Sequence, residues 1–478
     1  MITDLSVVED PTRTFNPITH VGTPLGKWTF GYLIQQMCAN APTIPGAAPI
    51  TPESFVRSWL MNWQFAQSPN FNTVNARPNI TSLILNPWIQ SSGGGTINTG
   101  GGTVSTGGGT LNMGSGTLDM AKAPFKLLAI VNRIDLSDNV VYGGGSGGEA
   151  RFVFGALGPG GAPLPFTVIF EYGITVTGCA DLKNWGQQWA NLSTISNINS
   201  DGYRNALEAI TEQFVRSDTP FGAGRPNHSA LNQLRTNEVA LGNPWELREF
   251  HLVGPGMPNQ GLLAETVVKQ TPISTANGGT FNNSSTLADF INGNVSTIMG
   301  GQPLGAPGTD TVPLQFPPST PFAAGSSLNP IGFNSPTGPN PAPGPANMFW
   351  NAPGLTTPPN GTVSDLRSTF SLQTCNACHG GETNTSSFLH VAPAAFGQTA
   401  RLSNFLTGVA PNGTGTFTVN DPAGSGTVRA YNDLLRRETF LEQLLAQPCV
   451  LQFGGFLSGP RRLPPPGDLS ALRTHMAD

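Results

Sequence analysis

Two cysteines three positions apart, with a histidine directly after them, constrain this 478-residue chain more than any other stretch: Cys375-Asn376-Ala377-Cys378-His379. The spacing is the one that attaches a haem covalently. Each thiol adds across one vinyl group of a single porphyrin, and the histidine that follows is delivered to the iron from one face. Two other readings stay open. A disulfide or redox pair within the run would normally sit after a strand in a thioredoxin-like pattern, which the preceding residues do not show. Half of a zinc site needs further Cys or His ligands, often a second paired cluster. His390 is the nearby candidate, while Cys38, Cys179 and Cys449 are scattered singly.

The run resembles the attachment motif of c-type cytochromes. The longer stretch has Phe370-Ser371-Leu372-Gln373-Thr374 before the motif, then Gly380-Gly381-Glu382-Thr383 and Phe388-Leu389-His390 after it. It resembles a group of large, mostly uncharacterised bacterial secreted proteins with one such site. The resemblance implies one covalent haem c, thioethers from Cys375 and Cys378, and His379 as the proximal iron ligand. The chain departs from small electron-transfer cytochromes in one respect. They place an axial methionine well downstream of the motif, and here the one methionine after His379 is Met476, at the extreme end.

The second axial ligand decides what a haem can do. Of the six histidines, His20, His228, His251, His379, His390 and His475, the candidate is His390. It follows His379 across a loop rich in Gly, Thr and Ser that is long enough to wrap a porphyrin edge, which makes His379 and His390 the candidate metal ligands. Met348, ahead of Phe349-Trp350, is an alternative that requires its segment to fold back. An open or water-bound position is another. His251 alternates with Phe250 and Leu252 on a predicted strand and reads as structural. Two imidazoles would give a low-spin, low-potential electron carrier. An open face would admit peroxide or oxygen, with Arg401 or Glu382 as candidate distal groups.

Composition bounds the rest. Only 11% of residues are charged, while 59 glycines and 43 prolines accompany a hydrophobic content of 38%, enough for a core under long, turn-rich loops. A net charge of −5 without basic clusters argues against nucleic-acid binding. No window of roughly 18 apolar residues predicts a transmembrane helix. Met1-Ile2-Thr3-Asp4-Leu5 lacks the basic start and apolar core of a signal peptide. Because covalent haem attachment in bacteria occurs outside the cytoplasm, a periplasmic or extracellular protein whose leader has been removed is expected. In such a compartment two of Cys38, Cys179 and Cys449 can pair and leave one buried thiol.

Along the chain, residues 1–300 read as an α+β domain with a mostly antiparallel sheet. Apolar spacing predicts helices over Lys27 to Ala41 and from Pro52, capped by Thr51, with Trp28, Trp59 and Trp63 as core. Strands are predicted at Pro124 to Asp135, Arg151 to Ala156 and Pro165 to Tyr172. A second hairpin pairs Trp245 to Val253 with Leu262 to Gln270. Helices are predicted at Asp181 to Leu192, Tyr203 to Val215 and Ser285 to Ile298. Residues 93–120 are four glycine-rich heptads, read either as an irregular loop or as stacked extended turns lined by Ile97, Val104, Leu111 and Leu118. Residues 301–362 form a Pro/Gly-rich linker or a wrapped arm pinned by Phe316, Phe322, Phe333, Phe349 and Trp350. Residues 363–478 form a helical, cytochrome c-like haem region with a short helix at Arg401 to Leu406 and a closing helix at Ala430 to Leu445.

The function expected from the residues is extracytoplasmic mono-haem electron transfer to an unidentified redox partner. Two alternatives are a haem enzyme, peroxidase- or oxygenase-like, and an extracellular structural or binding module with accessory haem. No zinc-protease helix, phosphate loop or nucleophile elbow is present. The large α+β region exceeds what one haem needs, so it docks a partner or substrate, or builds a homo-oligomer or larger assembly.

Overall fold

Six strands follow one another across a single antiparallel meander. In the computed structural model these are β1 (Phe125–Arg133), β2 (Glu149–Leu157), β3 (Pro163–Gly173), β4 (Leu231–Asn237), β5 (Glu246–Leu252) and β6 (Leu263–Thr266), paired in chain order. A short β7 (Ser326–Leu328), from the Pro/Gly-rich stretch, shares the outer edge of β5 with β6. The structure describes all residues except 68–73, 95–102, 107–108, 113–115, 138–146, 177, 243–244, 267–281, 300–325, 329–348, 386–387, 447 and 450–478. Phe316, Phe322, Phe333 and Met348 lie outside the described residues; Phe349 and Trp350 are buried. Within the heptads, Thr103–Thr106 and Gly109–Asn112 pair as a hairpin with Val104 opposite Leu111.

Strict alternation along the strands divides the sheet into two unlike faces. Phe152, Phe154, Phe166, Val168, Phe170 and Phe250 point to one side and join the main core. That side is covered by helices α1 (Phe30–Cys38), α2 (Pro52–Met61), α3 (Cys179–Leu192) and α4 (Asp201–Val215). α1 starts where the Thr29 hydroxyl accepts from the Tyr32 amide, and α2 where Thr51 and Ser54 cap each other reciprocally. The predicted core tryptophans, Trp28, Trp59 and Trp63, are all buried here. Phe30 is the hub, its ring 4.3 Å from Phe125, 5.5 Å from Phe170, 6.0 Å from Phe154 and 6.1 Å from Trp88. Phe30→Ala is expected to cost about 3–5 kcal/mol, read as a fall in the urea midpoint at unchanged m.

The opposite face carries Arg133, Glu149, Arg151, Glu171, Gln233, Arg235, Asn237 and Glu249, yet all but the half-buried Arg151 are buried. A β-bulge between Leu127 and Ala129 shifts the phase of β1, so Val131 and Arg133 join this face. The C-terminal quarter of the chain covers it. Helix α5 (Val363–Leu372) leads into the one-turn helix α6 (Cys375–Cys378), and α7 (Asp433–Ala446) closes the layer. Cys179 at the start of α3 is bonded to Cys449, just after α7, and Cys38 is the buried free thiol outside the motif. One expected element differs. The Arg401 to Leu406 stretch is a two-residue strand, Arg401–Leu402, paired with Val391–Ala392, and helix begins only at Asn404 because Ser403 caps it. Among the described residues no helix is long and apolar enough to cross a membrane.

Candidate haem site

Between the polar face of the sheet and the C-terminal layer lies a cavity of about 150 Å³. All four residues singled out by the sequence line it: Cys375, Cys378, His379 and His390. The local reason is the turn. After α5 ends, Thr374 leads into α6, whose single turn sets Cys375 and Cys378 on adjacent levels and releases His379 from its end. His390 then returns on the strand pair Val391–Ala392 and Arg401–Leu402, and its backbone carbonyl accepts from the Ser403 amide.

Neither thiol is part of a disulfide, and both are buried. Cys375 packs with Trp245 and Leu247, while Cys378 sits among Val131, Val153, Leu372 and Phe405. Burial pushes the Cys378 thiol well above its ordinary range, so it is a neutral S–H. The two imidazoles lie with ring centres 4.3 Å apart, and the His390 Nε2 is 3.7 Å from the Cys378 sulfur. Burial lowers His379 to about 4 and holds His390 well below the usual range, with His379 adding to the depression. Each ring is held through Nδ1: His379 by the Phe388 carbonyl and His390 by the Ser403 hydroxyl, both at 2.9 Å.

Burial of neutral histidine has a pH consequence. With the ordinary pKa of 6.5 lowered to about 4 in the fold, the His379 contribution is complete above 6.5 and is lost as pH falls toward 4. The unfolded chain takes up the proton that the native state refuses. The haem-free protein is therefore expected to lose on the order of 3 kcal/mol through His379 over this range. His390 acts in the same sense. Urea unfolding at neutral pH and near pH 4 should show a smaller loss in His379→Gln than in the unsubstituted chain.

The walls mix apolar side chains, Val131, Val153, Ile169, Leu389 and Phe405, with arginines paired to carboxylates; Val131 stands opposite Arg151 and Ile169 opposite Arg235 in the sheet. There β2, β3 and β4 set Arg151 and Arg235 against Glu171, at 3.1 and 3.6 Å. From α7, Asp433 holds Arg437, and burial pulls that guanidinium down to about 10.

These are donors of the kinds a covalent haem would use: two buried thiols, that of Cys378 neutral, and two neutral imidazoles oriented through Nδ1, with apolar side chains in the walls. The rings must separate to admit a metal between them. A metal–imidazole bond of about 2 Å on each side puts ring centres roughly 6 Å apart, against 4.3 Å here. Among the described residues no three His, Cys, Asp or Glu side chains are grouped to hold a metal ion by themselves.

The other candidates lie elsewhere. The Glu382 carboxylate is taken by Arg367, at 2.7 and 2.8 Å, and by the Ser368 hydroxyl. Arg401 is exposed, and the His251 side chain is exposed on β5. Residues that the sequence did not flag surround the site instead: Asn237, Trp245, Ser403, Arg151, Arg235 and Arg437. For Trp245 a signal existed, since period-2 alternation places it on the same strand face as Leu247. Comparison with protein-family models, with curated proteins and with solved structures gives no match for this chain.

Proposed function

We propose that this chain is an extracytoplasmic mono-haem c-type cytochrome that carries electrons, with Cys375 and Cys378 bonded to the porphyrin and His379 and His390 as iron ligands. The observation that carries the reading is the convergence of both thiols and both imidazoles on one cavity, each ring held through Nδ1. A haem bound there supplies a one-electron couple. The chain's own part is to keep both imidazoles neutral by burial, to orient them, and to exclude water with Val131, Val153, Ile169 and Phe405. Arg151, Arg235 and Arg437 line the cavity, each already paired with a carboxylate, and would exchange these partners to meet the carboxylates of a porphyrin. Glu382 is committed to Arg367 and Arg401 faces solvent, so neither candidate acid–base group is at hand for peroxide chemistry. The Cys179–Cys449 bond accords with an oxidising compartment.

Export from a host that carries the haem-attachment machinery should yield a protein whose mass under denaturing conditions exceeds the polypeptide by one haem. Cys375→Ala/Cys378→Ala should lose that increment completely. An intact chain at bare polypeptide mass would overturn the proposal.

A further inference from the structure

The ring of His379 is tied to the sheet by a chain of hydrogen bonds in which each link has one allowed polarity. The Trp245 indole N–H is donor only, so the Asn237 atom that meets it is Oδ1. That orientation leaves the Asn237 Nδ2 as the atom on the Phe388 carbonyl. The carbonyl is acceptor only, so the His379 Nδ1 that meets it at 2.9 Å carries its hydrogen. Phe388 is held for this purpose in an unusual conformation. Its φ is 55°, the left-handed region that costs a bulky residue about 1–2 kcal/mol. Its ring stacks on Trp245 with centres 5.0 Å apart and planes 13° apart. Trp245 also lies against His379, at 5.7 Å. Asn237 and Trp245 are both buried, at 2% exposure each.

We infer that Asn237 and Trp245, from the sheet, are positioning residues for His379: they fix the Phe388 carbonyl on Nδ1 and commit the ring to the tautomer whose Nε2 is a free lone pair. This assigns part of the large α+β region a role in the site. The consequence at iron rests on the function proposed above, whereas the tautomer is a property of the chain itself.

The test uses the full chain labelled with ¹⁵N at histidine and exported from a host without haem-attachment machinery, so that two-bond ¹H–¹⁵N spectra report each ring's tautomer. In the unsubstituted protein His379 should be almost wholly the Nδ1–H form. Asn237→Leu should lower the Nδ1–H to Nε2–H ratio about fivefold, the equivalent of one hydrogen bond. Trp245→Phe keeps the stacking and should shift the ratio less, in the same direction. Ser403→Ala should leave it unchanged. After haem attachment, Asn237→Leu should move the midpoint potential in the positive direction, because a weaker hold on Nδ1 makes Nε2 a poorer donor to ferric iron. An Nε2–H ring in the unsubstituted chain, or a folded Asn237→Leu protein with an unaltered ratio, overturns the inference. If Asn237→Leu does not fold, Trp245→Phe decides it. Failure to attach haem would overturn the proposed function instead, and the tautomer ratio still decides the clamp.

Discussion

Replacing His390 with alanine is expected to convert the haem-loaded protein from a low-spin form indifferent to carbon monoxide into a high-spin form that binds it. Among the described residues His390 is the one imidazole against His379, with ring centres 4.3 Å apart, and both line the cavity that holds the two thiols. Removing it leaves His379 as the histidine at the site and opens the space its ring filled. The optical and paramagnetic spectra should change completely, because spin state follows the number of strong axial donors. His390→Met should restore a low-spin spectrum at a higher potential, since a thioether stabilises ferrous iron relative to imidazole. Low-spin spectra unchanged in His390→Ala would remove His390 from the iron and reassign the sixth position.

Opening the Cys179–Cys449 disulfide is expected to produce the largest loss of stability among these changes. The bond spans 270 residues of sequence. In the chain-entropy account, a loop of that size corresponds to about 5.6 kcal/mol of constraint on the unfolded state. The bond also ties α7 to α3 where they pack. Leu441 and Leu444 of α7 are buried in the main core, and a Cβ added at Gly186 of α3 would lie 3.1 Å from Leu441. Because Asp433 and Arg437 on α7 line the cavity, loosening this helix reaches the site. Cys179→Ser/Cys449→Ser should therefore show a large fall in unfolding free energy and faster exchange of the α7 amides. A loss below about 1 kcal/mol would show that packing alone holds α7.

Much of the secondary structure is legible in the sequence because burial imposes a period. β2 and β3 alternate, with aromatic or aliphatic residues on the side that meets the helices; β1 does so up to its bulge, and β5 turns Glu246 and Arg248 to that side beside Phe250 and Leu252. α1 and α2 announce themselves through Thr29 and Thr51 and their apolar stripes. β4, Leu231–Asn237, is not legible: Asn232, Gln233, Arg235, Thr236 and Asn237 carry no apolar alternation, and only pairing with β3 and β5 makes them a strand. The Arg401 stretch misleads in the other direction, since its first two residues are taken by Val391 and Ala392 before helix can begin. At the site, the thiols and His379 are adjacent in sequence, the spacing that the proposed attachment to one porphyrin would need. Asn237 is not, since it reaches the Phe388 carbonyl across 151 positions that no spacing rule links.

What the residues determined unaided was local: a cysteine pair and histidine at the spacing of one porphyrin, strands with one apolar and one charged face, and helices with capped starts. Alternation along β2 to β5 says only that Arg151, Glu171, Arg235 and Glu249 share a side, and by itself it assigns that side to water. Tertiary structure decided otherwise. The C-terminal layer, pinned through Cys449, lies over those charges, and they compensate one another as buried ion pairs. The layer brings His379 and His390 together above them. Burial of that kind is a property of two distant segments meeting, so no single stretch of the chain encodes it.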